Sequence, residues 1–243
     1  MNKVILLAGV LFSASSFANS EPGVFINVAL GHSSFEGKNA VQRGTNQANT
    51  PVDGYAVDNG NVFGLGLGYR FGNGFAVQIE YRTREFETDN RPLSANPDGL
   101  FAGNTFQTLA TADTESLMIN GIYEFTPGSG KLKPYIKAGV GLARHDVHAE
   151  LDIQPFFATF DFSSLTACPG EALFCYPDKK SDEFAWSVGA GISYLLTESM
   201  ALGIDYQYID MNSAETAVDP LGDQVIFPEI TAHEITANFS YTF

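Results

Sequence analysis

Between Val24 and Phe243 the large apolar residues recur, segment by segment, at every second position, the period of a strand and not of a helix. Eight segments carry the pattern. Val24–Phe35 sets Val24, Ile26, Val28 and Leu30 against Asn27, Ala29 and Gly31. Val62–Phe71 sets Phe63, Leu65, Leu67 and Tyr69 against Gly64, Gly66, Gly68 and Arg70. Phe75–Phe86 alternates Phe75, Val77, Ile79 and Tyr81 with Gln78, Glu80, Arg82 and Arg84, and Thr114–Phe125 alternates Leu117, Ile119 and Tyr123 with Ser116, Asn120 and Glu124. Pro134–Arg144, Phe184–Leu195, Met200–Asp210 and Thr231–Phe243 repeat the arrangement, with Lys137 and Asp205 on the polar side.

In every segment the small and charged residues share one face and the bulky apolar residues the other. A soluble sandwich turns its apolar face inward and does not gather aromatics at strand ends. In lipid every backbone group must be paired, so the sheet closes on itself and its outer surface is apolar. The pattern therefore predicts an all-β fold: an eight-stranded antiparallel transmembrane β-barrel. Tyr69, Phe71, Phe75, Tyr123, Phe125, Tyr194 and Tyr241 are expected in one interfacial girdle.

The connections alternate short and long. Gly72–Gly74, Thr126–Lys131 and Leu196–Ser199 read as tight turns. Glu36–Gly60, Glu87–Asp113, Val147–Asp182 and Met211–Glu229 read as four long loops. Barrels of this kind place short turns in the periplasm and long loops outside, so both termini are expected to be periplasmic. His148–Ile153 and Phe157–Phe162 leave a ten-strand count open as an extra hairpin, read here as an extension of the third loop above the membrane.

Lys3, the apolar run Val4–Phe12 and Ser16-Phe17-Ala18 have the form of an export signal, with cleavage expected after Ala18. The expected organisation is a signal peptide over 1–18 and one barrel domain over 19–243. The localisation follows: a bacterial outer membrane, crossed several times.

A net charge of −15 argues against nucleic-acid binding, because phosphate contacts need lysine and arginine. Two cysteines in an exported chain suggest a disulfide, here Cys168 with Cys175 in the third loop, and no further ligands stand near them to make a metal site.

GVFINVALG after the signal, LMINGIYEF, KPYIKAGVGLARHD, WSVGAGISYLLTESMALGIDYQYID and the closing ITANFSYTF together resemble the small outer-membrane β-barrel proteins of Gram-negative bacteria, the OmpA-like transmembrane domain with its opacity- and Ail-type relatives. The resemblance covers essentially the whole expected mature chain. It implies that Phe239, Tyr241 and Phe243 form the terminal signal read by the barrel-assembly machinery.

Some small barrels of this kind modify lipid A, which makes a catalytic group conceivable. His32, Ser33 and Ser34 lie together, but neighbouring strand residues point to opposite faces and His32 cannot serve Ser33 directly. His145, Asp146 and His148 make a metal site conceivable, yet a wet rim where strand meets loop is the plainer reading. The repeated glycines at Gly64, Gly66, Gly68, Gly139 and Gly141 lack the strand–turn–helix setting of a nucleotide loop and read as inward positions leaving room for long side chains. No catalytic residue, cofactor or metal is expected.

Two constellations remain. Arg70, Glu80, Arg82, Glu124, Lys137 and Asp205 fall on the inward face, where an eight-stranded barrel is just wide enough for side chains to fill it. Glu124 with Lys137, and more loosely Arg82 with Asp205, are the expected pairs. The network is either a plug or a gated conduit for ions or small solutes. The second constellation is the loops, whose four spans hold 17 Asp plus Glu against 5 Lys plus Arg. That rim repels anionic lipopolysaccharide unless divalent cations bridge the two. Phe156, Phe157, Phe160 and Phe162 in the third loop would anchor a partner or pack the loop on itself. The leading expectation is a non-enzymatic, monomeric barrel whose loops bind an unidentified surface ligand or support envelope integrity. The alternative is a narrow gated pore, and a lipid-modifying enzyme is the remote one.

Overall fold

A computed structural model of the chain describes residues 22–37, 41–43, 49–51, 59–87, 92–94, 105–125, 130–152, 175–218 and 224–243. In chain order the strands are β1 (Gly23–Gly37), β2 (Val41–Arg43), β3 (Asn49–Pro51), β4 (Gly60–Arg70), β5 (Phe75–Glu87), β6 (Pro92–Ser94), β7 (Thr105–Glu124), β8 (Leu132–Asp152), β9 (Cys175–Leu195), β10 (Met200–Asp210), β11 (Ala214–Glu215), β12 (Gln224–Phe227) and β13 (Ile230–Thr242). Eight of them, β1, β4, β5, β7, β8, β9, β10 and β13, form a closed antiparallel barrel, with β1 pairing β13 to join the two ends of the chain.

The tight turns have visible causes. Gly72 and Gly74 take φ of 76° and 88°, the left-handed region that glycine enters without a Cβ penalty, and Asn73 Oδ1 accepts from Phe75 N at 3.2 Å. At the β9–β10 turn Thr197 Oγ1 accepts from Ser199 N and Met200 N.

Side chains alternate as the pleat requires. Ile79, Ile119, Val140, Val188 and Ile204 stand on the exposed outer wall, while Gln78, Asn120, Gly139, Ser187 and Asp205 face the lumen. Aromatic pairs mark the short-turn end: Phe75 with Tyr123 at 4.7 Å, Tyr69 with Phe71 at 5.2 Å, and Tyr241 with Phe243 at 5.0 Å between ring centroids. At the other end Leu117, Leu142 and Phe184 form one cross-strand row of exposed apolar side chains. The next row up is Glu115, Arg144 and Asp182, with Arg144 Nε 2.7 Å from Asp182 Oδ1. The row beyond holds Asp113, Asp146 and Lys180, with Lys180 Nζ 2.7 Å from Asp146. The outer wall thus changes from apolar to charged within one strand step, the change expected where a barrel wall leaves lipid. On β8 the apolar wall runs from Leu132 to Leu142, close to the roughly 9–11 residues a tilted strand needs to span a bilayer. Ile79→Arg, in the middle of this wall, is expected to cost about 2–4 kcal/mol in refolding titrations in lipid. Wild-type stability of that variant would show the face assignment to be wrong.

Beyond the lipid edge the strands continue. β7 has 20 residues, and β8 and β9 have 21 each. The loop boundaries expected from sequence need correction here: Thr105–Asp113, Val147–Asp152 and Cys175–Asp182 are strand. His148–Asp152 continues β8 and does not open an extra hairpin, while Phe156, Phe157, Phe160 and Phe162 lie outside the described residues. The first and last long connections also contain strands. β2 and β3 from one pair with β11 and β12 from the other in a four-stranded sheet ordered β11-β12-β2-β3.

Candidate functional site

The lumen is filled in layers, and each layer follows from which residues the inward parity delivers at that height. Nearest the short turns, Arg70 on β4 reaches Glu124 on β7 (Nε to Oε1, 3.2 Å), donates to Thr242 Oγ1 at 2.6 Å, and lays its guanidinium 4.3 Å from the centroid of the Phe25 ring. A polar cavity of about 50 Å³ adjoins this pair, lined in part by Asn27, Gln78, Tyr135 and Asn238. That is room for water, not for a solute of any size.

The middle layer is a six-membered ion cluster. Arg82 donates to Glu80 at 2.9 Å and to Glu234 at 2.6 Å. Arg84 donates to the other oxygen of Glu234 and to Ser116 Oγ at 2.8 Å. Lys137 Nζ lies 2.6 Å from Asp205 Oδ2, and Thr236 and Asn238 donate to Asp205 Oδ1. Asn120 Nδ2 donates to the remaining oxygen of Glu80 at 2.8 Å. Three cations meet three carboxylates, so the layer is neutral, and its members are almost wholly buried. Burial makes each charge depend on its partners, because an unpaired ion away from water is costly.

The pairs do not join neighbouring strands. Arg70 crosses β5 at Ala76, Lys137 crosses β9 at Gly189, and Arg82 reaches β13 past Gly64 and Ala29. A Cβ on Gly64 would sit 3.2 Å from Arg82 Cγ, and one on Gly191 would sit 2.5 Å from the Tyr135 ring. A Cβ on Gly66 or Gly139 would collide with the Gln78 or Asn120 side chain. The inward glycines leave room for long side chains opposite. This is also why the expected Glu124–Lys137 pair does not form. Glu124 stands opposite Tyr135 on β8, and Lys137 stands opposite Ile122, so each carries its charge over a small residue to a strand further away. Arg82 and Asp205 come only to 4.0 Å.

Sequence reasoning left two principal members out of the network. Glu234 shares the inward parity of Thr236 and Asn238, and Arg84 that of Arg82; the signal was in the spacing, but both stand close to loop boundaries. Above them the interior turns apolar. Phe35, Met118, Ala143, Val147, Ala185, Ile209, Met211, Phe227, Ile230 and Ala232 pack together with Ala214 of β11. Where lipid gives way to water outside, the barrel has the polarity of a soluble protein, with charges outward and a core inward.

His145, expected at a wet rim, is instead wholly buried at that level, with Nδ1 2.9 Å from Thr114 Oγ1 and Nε2 3.0 Å from the Met211 carbonyl. A neutral imidazole satisfies both contacts, and burial holds its pKa below the ordinary value. Thr114 and His145 have the spacing of a nucleophile and base, but both are fully buried and the second nitrogen is committed to a backbone carbonyl. His145 and Asp146 point to opposite faces, Asp146 lying on the outer wall with Lys180. Ser33 is buried in the lumen, 3.5 Å from Glu234, whereas His32 is exposed outside. On the outer wall the Arg144 hydrogen bonds hold the Asp182 carboxyl below its usual pKa. Cys175 opens β9, and Cys168 lies outside the described residues.

The family profile described as the outer membrane protein beta-barrel domain matches residues 4–243. Outer membrane protein PagN of Salmonella typhimurium is 27% identical over 153 residues, covering 60% of this chain and 56% of that protein. An uncharacterised Brucella abortus protein is 27% identical over 173 residues, covering 66% of this chain and 55% of its own length. The chain thus spans a little over half the length of these relatives. Among solved structures, OprG of Pseudomonas aeruginosa superposes with a TM-score of 0.55 at 15% identity, covering 91% of this chain and 96% of that one. Neisserial surface protein A gives 0.50 at 15% identity, covering 91% and 97%. At these identities the two structures show a shared fold.

Proposed function

The chain belongs to the outer membrane protein beta-barrel domain family, a barrel of the Gram-negative outer membrane, and from that premise we propose that it is a closed, non-conducting, non-enzymatic barrel whose long-loop end does its work by binding. One observation carries the reading: the lumen is sealed twice, by a neutral ion cluster and, above it, by a packed apolar core. An ion entering from the short-turn end meets paired charges that it must displace, and then an apolar layer whose polar groups at Thr114, His145 and the Met211 carbonyl are bound to one another.

The long-loop end is where the chain invests its length. β7, β8 and β9 rise past the lipid edge, and the first and last connections are tied into one sheet across the top. In this reading both termini and the short turns are periplasmic, and the acidic loops bind an unidentified surface ligand, with divalent cations bridging them to lipopolysaccharide. The barrel works as a monomer. Phe239, Tyr241 and Phe243 on the last strand serve the assembly machinery. A Cys168–Cys175 bridge staples the third loop; full thiol labelling of both cysteines without reductant would disprove it.

The test is a planar-bilayer recording of refolded protein. Silence, or rare small openings, is expected of the wild type. Steady, sizeable conductance would overturn the closed-lumen reading and favour the gated pore, whose vestibule would be the small cavity beside Arg70 and Glu124.

A further inference from the structure

The outer wall carries a depression across β1, β13, β10, β9 and β8, with a volume of about 530 Å³ and an almost wholly apolar lining. Its cause is local. On the outward face of β13 the residue between Ile235 and Phe239 is Ala237, whose cross-strand neighbours are Leu30 and Ile204. A single methyl group between Leu30 and Ile204 leaves a hollow in the wall. Leu202, Ile192 and Leu132 continue it toward the short turns, where Tyr194 closes the lower rim.

A second observation stands at that rim. Lys131 is exposed, and its Nζ lies 5.8 Å from the centroid of the Tyr194 ring. The exposed cations at the long-loop end, Arg144, Lys179 and Lys180, each face a carboxylate. Among the described residues, no carboxylate pairs with Lys131. In a chain with a net charge of −15, a cation left free at the foot of an apolar groove is a point of attraction for anions. It also stands at the level of the aromatic girdle, where lipid headgroups begin.

We propose that this groove binds one anionic glycerophospholipid from the leaflet at the short-turn end. One acyl chain lies in the hollow over Ala237, and the phosphate is held by Lys131 on the face of Tyr194. The amphiphile matches the site at both ends. Apolar length fills a hollow that neighbouring side chains cannot, and the headgroup charge meets the free ammonium.

Native mass spectrometry of the barrel released from nanodiscs tests the assignment, with phosphatidylglycerol and phosphatidylcholine of identical chains in equal amounts. The wild type is expected to retain one phosphatidylglycerol, favoured about fivefold, the preference one lysine near the surface confers. Lys131→Glu should abolish that preference while a lipid of either kind stays bound. Ala237→Trp, which fills the hollow, should lose the retained lipid of both kinds. A heat-modifiability shift on gels checks that both variants fold. Equal retention of the two headgroups by the wild type, or unchanged retention by Ala237→Trp, would overturn the proposal. A dimer mass that Ala237→Trp removes would overturn it too, assigning the groove to a second copy of the chain.

Discussion

Glu234→Ala is expected to lower the unfolding free energy of the refolded barrel by about 3–5 kcal/mol, the cost of leaving a buried charge without its partner. Glu234 is the shared acceptor of two arginines. One carboxylate oxygen takes Arg82 at 2.6 Å and the other takes Arg84, and none of the three side chains is more than 1% exposed. After the substitution Arg82 keeps Glu80, but Arg84 keeps only the Ser116 hydroxyl. No lipid or bulk water reaches that position to compensate. Glu234→Gln, which retains the shape and one acceptor, should fall between the wild type and the alanine variant. Glu124→Ala should cost less than either, because Glu124 and Arg70 are 14% and 17% exposed at the mouth and water takes over part of the lost contact. Urea titrations in lipid can follow all three through the single tryptophan, Trp186, which lies on the outer wall near the lipid edge. If Glu124→Ala proves the more damaging of the two alanine variants, the layer assignment is wrong.

Part of this layering is legible in the sequence alone. The faces were legible because strand parity is strict: once Ile79 is outward, Glu80 and Arg82 must be inward, and the same count places Asn120, Lys137 and Asp205. The partners were not legible, because a closed lumen brings together strands two or three apart. Lys137 meets Asp205 only because β9 offers glycine where it passes. Matching heights on adjacent strands cannot see that.

Loop boundaries failed for a different reason. Past the lipid edge the alternation persists but its chemistry inverts, so Asp113 and Glu115 outside, with Thr114 and Ser116 inside, carry no greasy stripe to recognise. The cap sheet was hidden because its strands are two to four residues long and pair across most of the sequence. Glu234 and Arg84, the centre of the ion cluster, sit where these two difficulties meet.

The apolar layer gives the last prediction. Phe227 belongs to β12 of the cap sheet, yet its side chain is buried in the upper core with Met211 and Ile230. Phe227→Ala should therefore cost about 3–5 kcal/mol, the range for deleting a packed phenylalanine. The loss is expected to be local, because the residue joins the cap to the barrel and is no part of the membrane wall. Cooperative units in a protein open separately, and the cap is held by few backbone bonds of its own. Amide exchange should then speed up across β11, β12 and β2, while the middle of β13, from Glu234 to Phe239, keeps its protection. Conductance should stay absent, since the ion cluster beneath is untouched. Combining Phe227→Ala with Asp205→Ala breaches both seals, leaves Lys137 unpaired, and should give channel openings that neither substitution gives alone. Equal loss of protection in the cap and in β13 would show that the upper core and the membrane barrel are one unit. Openings from Phe227→Ala by itself would show that the ion cluster does not seal the lumen.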